Sequence, residues 1–141
     1  MTASCAGKAT MALGGIALMI LTGCAPAPVA CPAIGWVNSL TVELTGQTSS
    51  VQRVQLCTQE GCAPGRDVDS SSLLSDIAVT DREGDTWTFE TQMLSLEEVT
   101  IRALASDGSV VSEDSVRPNW KRVGGSEQCG GPSTALVTVT I

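Results

Sequence analysis

The feature that most constrains this sequence is a series of short stretches in which apolar and polar residues alternate, separated by Gly, Pro, Asp and Ser. Successive side chains of an extended strand point to opposite faces, so a period of two marks a strand with one buried face. Leu40, Val42 and Leu44 alternate with Thr41 and Glu43, and Val54 and Leu56 repeat the pattern. Trp87 and Phe89 stand between Thr86, Thr88 and Glu90. Val99, Ile101 and Ala103 alternate with Thr100 and Arg102, and Val137, Val139 and Ile141 with Thr138 and Thr140. Together with two less regular stretches these predict about seven strands, over 36–44, 51–58, 76–80, 86–93, 98–105, 109–117 and 135–141. Ser106-Asp107-Gly108 predicts a hairpin turn, because Asp and Gly tolerate positive φ. No stretch of similar length has a helical period; residues 70–75 suit one short turn.

Seven short strands in one domain resemble an immunoglobulin-like sandwich. The resemblance is architectural: the Cys-Trp-Cys pattern and tyrosine corner of antibody domains are missing, and the chain has no Tyr at all. It implies an all-β fold with two packed sheets. Phe89 is the sole Phe, so the core must rest on Val, Leu, Ile and Trp.

The start of the chain carries an address. Met1 to Lys8 is weakly positive, and Met11 to Leu21 is an uninterrupted apolar run. A membrane-spanning helix needs about 20 apolar residues, so this run is too short to span and suits the core of a signal peptide. Leu21-Thr22-Gly23-Cys24 follows directly. Here the sequence resembles bacterial lipoprotein precursors, whose lipobox is a Leu, two small residues and a Cys. The resemblance covers residues 1–24. It implies cleavage before Cys24, acylation of that thiol, and anchoring by lipid at the outer face of the cell membrane. Two or more acyl chains make such an anchor stable, whereas one holds only marginally. A secretory leader cut after Ala30 is the main rival reading, and an uncleaved membrane anchor the lesser one.

The expected organisation is therefore a leader at 1–23, a lipidated Cys with a short Pro/Ala spacer at 24–35, and a sandwich domain at 36–141. Ala25 to Ala30 is a stiff spacer that reaches about 20 Å when extended, which keeps the domain close to the bilayer. Lys8 is the one charged side chain ahead of Cys24, so the rest is more acidic than the −7 of the whole chain. That charge argues against a nucleic-acid partner and against broad adhesion to anionic lipid.

Cys5 leaves with the leader and Cys24 is taken by lipid, so Cys31, Cys57, Cys62 and Cys129 remain. An even number in an oxidising compartment predicts two bridges, with three pairings open. Cys57–Cys62, closing a tight turn, with Cys31–Cys129 is the favoured set. If strands alternate in direction, the start of the first and the loop before the last lie at one end, which brings Cys31 and Cys129 together. A zinc site is disfavoured because no Cys-x2-Cys knuckle is present, and a redox pair because Cys-x4-Cys is not Cys-x-x-Cys.

Signals for chemistry are sparse. The chain has no His, which removes triads that use it. Arg117, Trp120, Lys121 and Arg122 form a basic cluster on the membrane-facing end; Trp120 either reaches the headgroups or, the stronger expectation, caps the sandwich. Asp81, Glu83, Asp85 and Asp107 on turns at the other end are calcium candidates, though Asp and Gly equally serve the turns themselves. Asp67-Val68-Asp69-Ser70-Ser71 begins like an EF-hand loop but has Ser72 where Gly is needed and Ala78 where Glu is needed. Glu97 and Glu98 are adjacent and point to opposite faces, a poor acid–base pair. Gly124-Gly125 and Gly130-Gly131 read as loop flexibility. No cofactor is expected. The expected function is a non-enzymatic, lipid-anchored binding or structural domain for an envelope protein or glycan. The alternative is a carboxylate-based or calcium-dependent envelope enzyme or accessory domain.

Overall fold

A computed structural model describes residues 29–65 and 72–141. The leader, Cys24, residues 25–28 of the spacer and the stretch Asp67 to Ser71 lie outside the described residues. Nine strands follow in order: β1 (Ser39–Thr45), β2 (Arg53–Thr58), β3 (Gly61–Ala63), β4 (Ala78–Glu83), β5 (Thr86–Glu90), β6 (Val99–Leu104), β7 (Val110–Val116), β8 (Lys121–Arg122) and β9 (Ser133–Thr140). One sheet has the order β4-β5-β1-β9-β8 and the other β3-β2-β6-β7. All pairs are antiparallel except β1 with β9, which run parallel. The expected all-β sandwich is observed, and seven of its strands correspond to the seven expected ones.

Alternation places the core as expected. Leu40, Val42, Leu44, Trp87, Phe89, Val137 and Val139 from one sheet meet Val54, Leu56, Val99, Ile101 and Ala103 from the other. Phe89 is fully buried. Truncating it to Ala would cost about 3–5 kcal/mol through lost transfer energy and the cavity left behind.

Strand ends differ from expectation for local reasons. β1 begins at Ser39 rather than 36; just before it Asn38 bonds Gln92 and Thr91 through its backbone and Ser95 and Ser133 through its side chain. β5 stops at Glu90 rather than 93: Thr91 Oγ1 donates to Leu94 O, Leu94 N–H donates back to Thr91 O, and Gln92 takes φ 47°. β4 begins at Ala78, after a 3-10 turn over Leu73–Asp76 whose Leu74 N–H is capped by Ser72 Oγ. Two short strands were not expected. β3 forms because the Cys57-to-Cys62 turn is a paired hairpin, and β8 because Lys121 and Arg122 pair with Thr134 and Ser133.

Strand directions define two ends. The proximal end holds residues 29–38, the β2–β3 turn, the 91–98 loop and the 117–132 connection; the distal end holds the β4–β5 and β6–β7 hairpins. Among the described residues no helix is long and apolar enough to cross a membrane.

Candidate functional site

The proximal end is built around a disulfide. Cys31 is joined to Cys129 with their Cα atoms 5.3 Å apart, and Cys57 to Cys62 directly across the β2–β3 ladder. Both bridges lie at this end, and strand alternation predicts this for Cys31 and Cys129. Cys129 sits on the β8–β9 connection, which the glycines make tight rather than flexible. Ser126 N–H donates to Gly130 O at 2.9 Å, Val123 N–H to Pro132 O at 2.8 Å, and Cys129 N–H to Ser126 Oγ at 3.1 Å. A Cβ on Gly125 would collide with Gly130 O, and one on Gly131 with Gly124 O. These glycines therefore permit close backbone approach, which corrects the flexibility reading.

Trp36 packs against the same connection: a Cβ on Gly130 would lie 3.0 Å from its ring. Together with Pro32, Ile34 and Cys129 it lines an open groove of about 290 Å³. Around it Val29, Ile34, Val37, Met93 and Val123 are exposed. They are five of the seven large apolar side chains exposed among the described residues, so the apolar surface is concentrated at this end.

The basic cluster does not project as a unit. Trp120 is half-buried against the core, and its Nε1–H donates to Leu96 O at 2.9 Å. It caps the sandwich, the stronger of the two roles expected for it. Arg117 places Nε and Nη2 at 3.0 and 2.8 Å from Glu98 Oε2. Lys121 and Arg122 remain exposed. Glu98 is thus an ion-pair partner, and the exposure of both groups keeps that pair's contribution within about 1 kcal/mol.

At the distal end the carboxylates do not converge. Among the described residues no three His, Cys, Asp or Glu side chains come together as a metal site, so Asp81, Glu83, Asp85 and Asp107 form no cluster. Asp107 instead serves its turn. Its Oδ1 accepts from Ser109 Oγ–H at 2.7 Å and Ser109 N–H at 2.9 Å, and these bonds hold its carboxyl below the usual range. Arg82, opposite Trp87 in the β4–β5 ladder, lays its guanidinium 4.2 Å above the indole.

The third surface is an open strand edge, which local sequence did not reveal. Ile141 N–H donates to Thr45 O, and the odd-numbered backbone groups of β9 face β1 by the same parity. Even-numbered groups face outward, where β8 pairs with Thr134 and ends. Among the described residues no strand pairs with the outer edge at Leu136, Thr138 and Thr140. Leu136 is exposed and lies beside an open groove of about 510 Å³ lined also by Thr41, Asn119 and Lys121.

No protein-family profile, curated protein or solved structure matches this chain.

Proposed function

We propose that the chain is the precursor of an extracytoplasmic lipoprotein, cut before Cys24 and held by acyl chains at the outer face of the cell membrane. Its sandwich is a non-enzymatic binding module for another envelope component. The observation that carries this reading is how the cysteines are used. Cys31, Cys57, Cys62 and Cys129 are all consumed by bridges to one another, which suits an oxidising compartment and leaves the lipobox thiol free for modification.

Binding is favoured over catalysis by the shape of the surface. The described grooves are open, and none gathers more than one carboxylate: Glu98 lines one and Glu60 another. An acid–base or calcium chemistry needs several such groups in one place. The edge of β9, by contrast, offers backbone groups that no strand among the described residues pairs with, beside uncharged side chains, the arrangement that accepts an added strand.

Mass spectrometry of the protein from its native host is the test. An amino terminus at Cys24 carrying diacylglyceryl supports the reading, and Cys24→Ser should release the domain from the membrane fraction. A native terminus at residue 31, or an intact leader with an unmodified thiol, would refute it.

A further inference from the structure

We infer that the proximal collar of Ile34, Val37, Met93 and Val123 around Trp36 seats the sandwich on the lipid surface, with its strands standing away from the membrane. The inference rests on the lipoprotein reading above and adds a contact that an anchor alone does not require. An acylated Cys24 lies five residues before Val29, so the described chain starts within about 17 Å of the bilayer surface even if those residues are fully extended. The collar residues share the end at which that short tether arrives. Gly35 lies beside Met93, with the sulfur 4.0 Å from where a glycine Cβ would stand, and Val123 is tied by its N–H to Pro132.

A lipid surface suits this end better than a water-filled gap or a second copy. Exposed Ile, Val and Met lose unfavourable hydration when they enter the headgroup–acyl boundary, and a partly exposed Trp favours that boundary. Lys121 and Arg122 are placed to reach phosphates from its margin. Glu60, Glu97, Glu98 and Glu127 at the same end oppose adsorption by charge. Seating therefore depends on the tether and on apolar contact, and only weakly on the fraction of anionic lipid.

The protein carries its own depth markers. Trp36 is proximal, whereas Trp87 pairs opposite Val42, four strand residues beyond Asn38 and thus about 13 Å further from the surface. The full acylated protein is placed in phosphatidylethanolamine/phosphatidylglycerol vesicles containing lipid brominated near the headgroup. One form keeps Trp36 alone (Trp87→Phe, Trp120→Phe) and another keeps Trp87 alone (Trp36→Phe, Trp120→Phe). The expected result is a loss of emission several-fold greater for Trp36 than for Trp87. Ile34→Ser, Met93→Ser and Val123→Ser, all at exposed positions, should together abolish the difference while the protein still floats with the vesicles. Equal quenching of both tryptophans in protein whose Cys24 is shown by mass to be acylated overturns the seating and leaves the anchor intact. That outcome is also the one expected if the collar is reserved for a protein or a second copy. An unacylated Cys24 overturns both readings.

Discussion

Asn38 Oδ1 accepts a hydrogen bond of 2.8 Å from Ser133 N–H, which joins the start of β1 to the start of β9 across most of the chain. Asn38 is 1% exposed and has every polar group engaged: Nδ2 donates to Ser95 Oγ, its N–H to Gln92 O, and its carbonyl accepts from Thr91 N–H. It thereby stitches three segments of the proximal end. Asn38→Ala should lower stability by about 1–3 kcal/mol, mainly by leaving Ser133 N–H without a partner. Asn38→Leu, which alternation alone would favour at this position, should be no better. Urea unfolding of both variants decides it, and a Leu variant more stable than the parent would show that the polar stitch contributes nothing.

Gly130 meets two constraints at once. Its φ is +75°, and a Cβ there would stand 3.0 Å from the Trp36 ring, so the indole would have to give by a few tenths of an ångström. Gly130→Ala should therefore cost about 1–3 kcal/mol, through left-handed backbone strain and displacement of the indole. Gly84→Ala, also at positive φ but with open space around it, should cost only the backbone part. Equal losses for the two substitutions in thermal unfolding would mean that Trp36 is not held against Gly130.

The two bridges should differ in what they contribute. Loop-closure entropy rises with the length of chain enclosed, and the separations are 98 residues for Cys31–Cys129 and 5 for Cys57–Cys62. The chain-entropy treatment gives about 4.7 kcal/mol for the first and about 2 for the second. Replacing each pair by Ser should reproduce that order in denaturant titrations. The reverse order would show that the β2–β3 hairpin depends on its bridge for native packing rather than for unfolded-state entropy.

What was legible in the sequence is what side-chain parity and turn chemistry encode locally. Leu40, Val42 and Leu44 announce a buried face, Asp107-Gly108 a hairpin, and the tight Cys57–Cys62 turn with strand alternation favours Cys31–Cys129 among three possible pairings. What escaped was set by contacts distant in the chain. Asn38 shares the parity of Leu40 and so looks like one more inward position; its acceptance there depends on Ser95 and Ser133. The double glycines look like slack because the backbone that each must clear lies on the opposite arm of the loop. Trp120 finds its hydrogen-bond acceptor 24 residues back, at Leu96. The open edge of β9 follows from sheet order, and nothing within Ser133–Thr140 signals it.

Asp107 supplies the pH dependence that the structure specifies. Its carboxyl is held below the ordinary range, first by the Ser109 hydroxyl and then by the Ser109 amide. A depressed carboxylate adds stability that is present at neutral pH and is lost as pH falls through the depressed value, because the unfolded state then binds the proton more readily. Ser109→Ala should raise the Asp107 titration midpoint toward the ordinary carboxylate value in a carboxyl NMR titration. The parent's stability advantage over that variant should shrink as the pH falls through the ordinary carboxylate range and below it. An advantage that grew on acidification would contradict the bonding at this turn.

The parity of β9 yields a test in which two neighbouring substitutions should behave oppositely. Proline lacks an N–H and is tolerated in a strand where that group would face solvent. Thr138 turns its N–H to the open edge, whereas Val139 turns its own toward β1, in step with the bond from Ile141 to Thr45. Thr138→Pro should thus cost about 1 kcal/mol, from φ adjustment alone, while Val139→Pro should cost about 3 kcal/mol or more by breaking a ladder bond and disturbing a core side chain. Thermal unfolding of the two proteins measures the difference. On the proposed binding role, Thr138→Pro should also block the edge to any added strand, so in-cell crosslinks to an envelope component should fall although the fold persists. If Thr138→Pro unfolds the domain as readily as Val139→Pro, the outer edge is already paired, and the binding surface must be sought elsewhere.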